Sequence, residues 1–287
     1  PRFGPSCPES SRTDAVIRAA RERAKKNQFS RKVKDAMAGK LQRHLAEVTE
    51  RAEGLATRAT PARLDQGEIV RLGIRVPDVR RAQKAGYSFS VAPAEEQLGI
   101  WDFIWRHSSH YEVMSQALYA YQHRQLKRKE VTIIRQWVER CTCWEHSDDL
   151  SKIYATVVEE NPGWMVPTLQ SWNRSNNAWK RRQSMVSLIE YASKRRRFLP
   201  FEQLIAFIEP LLGDEEYYVQ KGLGWTLREI HNAYPEETAD YLNRRALAIS
   251  PRAWSAATEK LNTADKARLN AARKAARQGN PPATDDH

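Results

Sequence analysis

The 287-residue sequence predicts an all-α protein, a curved stack of antiparallel helix pairs (an α-solenoid). Three observations carry that expectation. Apolar residues recur every three or four positions through most of the chain from about residue 13 onward. No run alternates with period two, and the turn pairs typical of β-hairpins are missing. Helices of about 10–18 residues follow one another over brief breaks and pair at a period of roughly 40 residues. A compact bundle gives a similar pattern, and no strict repeat consensus is legible. The serial order of similar hairpins, with basic runs near their ends, favours the stack.

Taken in order, the first helices are DAVIRAARERAKK (14–26) and KVKDAMAGKLQRHLAEVTERAEGLA (32–56), rich in strong helix formers. A passage punctuated by Pro and Gly, TPARLDQGEIVRLGIRVPDVRRAQKAG (60–86), interrupts them. The aromatic helix EEQLGIWDFIWRHS (95–108) follows, then HYEVMSQALYAYQHR (110–124), EVTIIRQWVERC (130–141) and SDDLSKIYATVVEEN (147–161). Next come PGWMVPTLQSWNRS (162–175), NNAWKRRQSMVSLIEYASK (176–194) and PFEQLIAFIEPLL (200–212). DEEYYVQKGLGWTLREIHNAYP (214–235) and EETADYLNRRALAI (236–249) complete the series. Several of these starts carry Ser, Asp, Asn or Pro where a cap or first turn needs them. One domain over 13–278 accounts for the pattern, with 13–60 as basic N-terminal helices. Residues 1–12 and 279–287 are expected to be disordered tails.

Hydrophobic residues make up 41% of the chain, enough for a globular core. No stretch approaches the roughly 20 apolar residues a membrane span needs, and PRFGPSCPESSRTD lacks the apolar region of a secretory signal. Three cysteines, Cys7, Cys141 and Cys143, are too few and too clustered for a disulfide framework, so a reducing, cytoplasmic setting is expected. Charge says more. Lys and Arg outnumber acids 47 to 35, a net +12, and cluster in RERAKK, HRQLKRK, WKRR and SKRRRF. Each cluster alone reads as a solvated helix face. Together, with a pI near 9.7, they point to a polyanionic partner held by counterion release. A basic concave groove in the stack suits duplex DNA, and hence a nucleoid-associated protein.

Three segments stand out within the array. Trp144 and Asp148 in WEHSD stand at i and i+4, so on a helix they share a face. Trp179 and Arg182 in WKRR stand at i and i+3, and Trp225 and Arg228 in QKGLGWTLRE repeat that offset. In this the chain resembles the bacterial DNA alkylation repair glycosylases of the AlkD type, built from HEAT-like repeats. The resemblance runs over about residues 65–262, through LGIRVPDVRR, IWDFIWRHSSHYEVMSQAL, WEHSDDL, NNAWKRRQSMV and DEEYYVQKGLGWTLREI, in the family's order. Its most specific part is YVQKGLGWTLRE. The chain departs from the pattern where Cys143 replaces a Trp common in the family, and in the length and basic character of residues 13–60.

The resemblance implies roles by position. Asp148 matches the catalytic carboxylate, and Trp144 and Trp225 match the indoles that flank the lesion's deoxyribose. Arg182 matches a contact to backbone phosphate, and Arg228, Lys221 and Arg181 are further expected DNA contacts. It also implies excision of cationic N3- or N7-alkylated purines from duplex DNA, without base flipping and without metal or organic cofactor. A monomer with no obligate protein partner is expected, and bulky adducts of a genotoxic natural product are a narrower substrate class. The residues themselves leave rivals open. Asp148 also reads as a helix N-cap before an apolar run, with Asp149 as the fallback carboxylate. Trp225 also reads as core, and Trp179 is expected there, in line with Met185 and Leu188. Cys141, Cys143 and His146 lack a fourth ligand and a zinc-like spacing, so no metal is expected.

Overall fold

The computed structural model describes residues 34–56 and 69–278, and every regular element among them is helical. The helix expected at 14–26 and both expected tails lie outside the described residues. Helix α1 spans 34–56. Then come α2 (Val76–Ala85), α3 (Ala94–His107), α4 (Tyr111–Tyr121), α5 (Arg128–Ile134) and α6 (Trp144–Glu160). They are followed by α7 (Pro162–Asn173), α8 (Ala178–Ile189), α9 (Phe201–Ile208) and α10 (Tyr217–Ala233). The last are α11 (Pro235–Arg244), α12 (Pro251–Ala257) and α13 (Thr263–Arg277).

Packing sorts these helices into two layers. Along one layer α2 packs on α4, α4 on α6, α6 on α8, α8 on α10 and α10 on α12. The intervening helices back them: α3 lies against α4, α7 against both α6 and α8, and α11 against α10. This is the expected stack of antiparallel pairs. Inner helices such as α4, buried over nearly its whole surface, need partners on several sides, and the stack supplies them.

The aromatic helix α3 supplies much of the core. Trp105 is fully buried and stacks on Trp137 at 5.6 Å. Each indole N–H finds an acceptor, Trp105 on the Trp137 carbonyl (2.9 Å) and Trp137 on Asp102 (2.8 Å). Burying a large apolar side chain contributes roughly 1.5–3 kcal/mol, and pairing the N–H avoids the cost of an orphaned donor. Helix α1 joins this core through buried Val48 and Ala52, and Arg51 lies 4.1 Å over the Tyr87 ring.

Several boundaries differ from the sequence reading, three of them near the middle of the chain. The helix expected at 130–141 tightens after Ile134 into a 3₁₀ segment, Arg135–Arg140. The one expected at 176–194 ends at Ile189, because Tyr191 adopts a left-handed conformation (φ 46°) that no α-helix continues through. The one expected to begin near Ser147 starts at Trp144, with Cys143 as its N-cap residue.

Candidate active site

The earlier start of α6 decides what Asp148 is. Ser147 N–H already donates to the Cys143 carbonyl (3.2 Å), so Asp148 lies inside the helix and is not its cap. Trp144 and Asp148 therefore stand one turn apart on one face. Trp144 is 46% exposed, unusual for so large an apolar surface.

Helix α8 brings Arg182 to that face. Ser147, Ser151, Gln183, Ser184 and Ser187 are all buried along α6 and α8, and Gln183 Nε2 donates to the Ser147 carbonyl (2.9 Å). These small or hydrogen-bonded side chains let the two helices approach closely. Arg182 is 4% exposed, and all three guanidinium nitrogens are engaged. Nη2 donates to Asp148 Oδ1 (2.6 Å), Nη1 to the Tyr218 carbonyl (2.7 Å) and Nε to Ser147 Oγ (3.1 Å). Arg182, expected at a backbone phosphate, here fixes the carboxylate from inside the protein while still lining the cavity at this site. Burial pushes the Asp148 carboxyl above its ordinary range, and the Arg182 charge opposes that shift.

Helix α10 closes the site. Gly222 and Gly224 in QKGLGW explain themselves by close approach. A Cβ on Gly222 would stand 2.8 Å from Arg182 Nη1, and one on Gly224 would stand 2.3 Å from the Ala253 carbonyl oxygen of α12. Trp225 follows, half-buried, its Nε1 donating to Glu229 Oε1 (3.2 Å). Between α6, α8, α10 and α12 lies a cavity of about 390 Å³. Asp148 and Arg182 line it together with Trp144, Trp225, Lys221 and Arg228, and Tyr191, Tyr217 and Tyr218 complete the wall. Two carboxylates line it: Asp148, anchored by a guanidinium among five aromatic rings, and Glu259 at the rim, paired with Arg228. It can hold a flat or cationic group against the rings and set a negative charge beside it.

Across 236 residues, 26–261, the chain matches the sequence profile described as DNA alkylation repair enzyme. It belongs to the DNA alkylation repair enzyme family. Solved structures resemble it in fold. A predicted DNA alkylation repair enzyme from Enterococcus faecalis aligns with a TM-score of 0.58 at 20% identity, over 68% of this chain and 90% of that one. AlkD2 from Streptococcus mutans aligns with a TM-score of 0.51 at 17% identity, over 75% of this chain and all of that one. No curated protein matches the chain by sequence.

Within this repair-family fold, the residues singled out in the sequence divide. Trp144, Asp148, Arg182, Lys221, Trp225 and Arg228 converge on the one cavity. Arg228 does so while paired to Glu259 (2.6 Å). Arg181 does not line it. Its Nε donates to Asp214 Oδ2 (2.6 Å) and its Nη1 to the Ser175 and Asn176 carbonyls, so in this structure it clamps the start of α8 outside the cavity. Trp179, expected in the core with Met185 and Leu188, is only half-buried and stacks on Tyr218 at 5.2 Å, buttressing the cavity wall. Asp149 is nearly buried and pairs with Lys152 (2.6 Å), which removes it as the fallback carboxylate. His146 is fully buried, its Nε2 beside Ser115 Oγ and the Tyr111 carbonyl; burial holds its pKa down to about 4. Sequence reasoning missed Tyr191, Tyr217, Tyr218 and Glu229. Tyr217 and Tyr218 adjoin the QKGLGW motif, a usable signal; Tyr191, at the end of α8, carries none. Its left-handed backbone costs about 1–3 kcal/mol and persists only where neighbours hold it.

Proposed function

We propose that this protein is a monofunctional DNA glycosylase that hydrolyses the N-glycosidic bond of cationic N3- or N7-alkylated purines in duplex DNA, leaving an abasic site. One observation carries the reading: the Asp148 carboxylate, fixed by Arg182, stands in a cavity walled by Trp144 and Trp225. A purine alkylated at these nitrogens is already cationic. When the C1′–N bond breaks, its electron pair neutralises the base, which leaves without a general acid. Positive charge then develops on the sugar, and a carboxylate beside C1′ stabilises it. Water adds to C1′, and its proton passes to Asp148 or to solvent. The indole faces attract the cationic sugar and base, each by roughly 0.5–2 kcal/mol. Leaving the lesion stacked requires no pocket fitted to a base, which suits bulky adducts as a narrower substrate class.

The decisive experiment is Asp148→Asn with duplex carrying 7-methylguanine. Excision is expected to fall by about two to three orders of magnitude, a loss of roughly 2.7–4 kcal/mol, with DNA affinity nearly intact. A variant that excises as fast as the wild type removes Asp148 from the chemistry. A wild type that binds duplex tightly yet releases no base points instead to a non-catalytic DNA-structure-binding protein on the same scaffold. Release of a bulky natural-product adduct measured beside 7-methylguanine tests the narrower class, which fails if the bulky base leaves no faster.

A further inference from the structure

Among the basic clusters that the site leaves unused, SKRRRF begins two residues beyond the cavity wall. The segment joining α8 to α9 starts at Tyr191, whose ring lines the cavity and meets Trp225 edge-on at 5.5 Å. Lys194 Nζ lies 4.2 Å from the centroid of the same Tyr191 ring. Acidic side chains pin the segment at several points. Ala192 N–H donates to Glu229 Oε2 (3.0 Å), and Arg196 N–H to Glu159 Oε1 (2.8 Å). Arg195 is consumed by buried Glu190 (2.9 Å) and by Glu159 (3.6 Å).

That fastening leaves Lys194, Arg196 and Arg197 exposed. Their charge does not stand alone. Burial first, then the charges of Lys194, Arg80, Lys152 and Arg195, hold His123 below its ordinary pKa, so cations from α2, α6 and the α8–α9 segment gather here. Because Lys194 lies on the ring of Tyr191, which lines the cavity, it gives the cavity a cationic flank separate from Lys221 and Arg228 on α10. A pinned backbone also loses little freedom when its side chains bind, which is the advantage of a preorganised contact.

We propose that the segment from Tyr191 to Arg197 is a docking surface for the DNA backbone beside the lesion, with Lys194, Arg196 and Arg197 on phosphates and the Tyr191 ring against the sugar in the cavity. This assignment rests on the glycosylase reading for where the lesion lies, but its main test does not. Full-length protein is titrated against undamaged duplex over about 50–300 mM salt, where each phosphate contact contributes about 0.9 to the slope of log affinity on log salt. The variant K194Q/R196Q/R197Q is expected to lower that slope by about 2–3. An equal charge removal on α13, K266Q/R268Q/K274Q, is expected to leave it near the wild-type value. A triple variant with the wild-type slope overturns the proposal, and so does an α13 variant that lowers the slope as much.

Tyr191→Asn separates the ring from the charges, since Asn tolerates the left-handed backbone. It is expected to keep the wild-type salt slope and to slow base release from saturated complexes about tenfold. Release at the wild-type rate overturns the sugar contact. If the wild type releases no base, yet K194Q/R196Q/R197Q still flattens the salt slope, the glycosylase reading fails while the docking surface stands.

Discussion

Asp148 and Arg182 form the pair on which the chemistry turns. Two opposing effects act on the carboxyl: burial favours its protonated form, and the guanidinium 2.6 Å away favours the charged one. The proposed mechanism needs the charged form. Removing the cation leaves burial unopposed, so the pKa rises further and the acidic limb of the pH–rate profile moves to higher pH. Arg182→Gln is therefore expected to slow excision most at the acidic end of the profile, with the deficit narrowing as pH rises. Single-turnover rates across pH check this, and an acidic limb that stays in place removes Arg182 from control of Asp148. The side chain also donates to Tyr218 and Ser147, so some loss of stability is expected alongside.

At the scale of elements, the site depends on how closely three helices approach. Serines let α8 lie near α6, and two glycines let α10 lie near α8 and α12. The two glycines differ in what they face. Gly222 meets the end of a flexible side chain, Arg182, whereas Gly224 meets the backbone of α12. Gly224→Ala is therefore expected to cost about 2–3 kcal/mol of stability, because two helices must move apart. Gly222→Ala is expected to cost less stability and more activity, since Arg182 must shift from Asp148. Urea unfolding paired with an excision assay separates the two. Equal losses of stability would contradict the contact geometry.

For the whole molecule, +12 of net charge is distributed unevenly in its effect. Lys180, Arg181 and Arg182 of the WKRR run are absorbed by Glu139, Asp214 and Asp148. Lys221 remains exposed at the cavity, and Lys194, Arg196 and Arg197 remain exposed on the α8–α9 segment. Affinity for duplex DNA is expected to fall by roughly 10³–10⁵ between about 50 and 200 mM salt, as six to ten phosphate contacts require. Binding titrations over that range decide it. A protein-binding scaffold on the same helical stack shows no such dependence.

Periodicity and composition determined the all-α class and the pairing of helices, because a 3.6-residue apolar pattern reports burial locally. The spacing of Trp144 and Asp148 likewise put both on one face. Tertiary structure alone decided which cations are free, because a charge run looks the same in sequence whether its partners are phosphates or acids 30 residues away. Asp214 and Asp148 are the partners of Arg181 and Arg182 that the sequence hid. Tyr191 entered the cavity only because a helix broke where no Pro or Gly marks it, held there by contacts made across the fold.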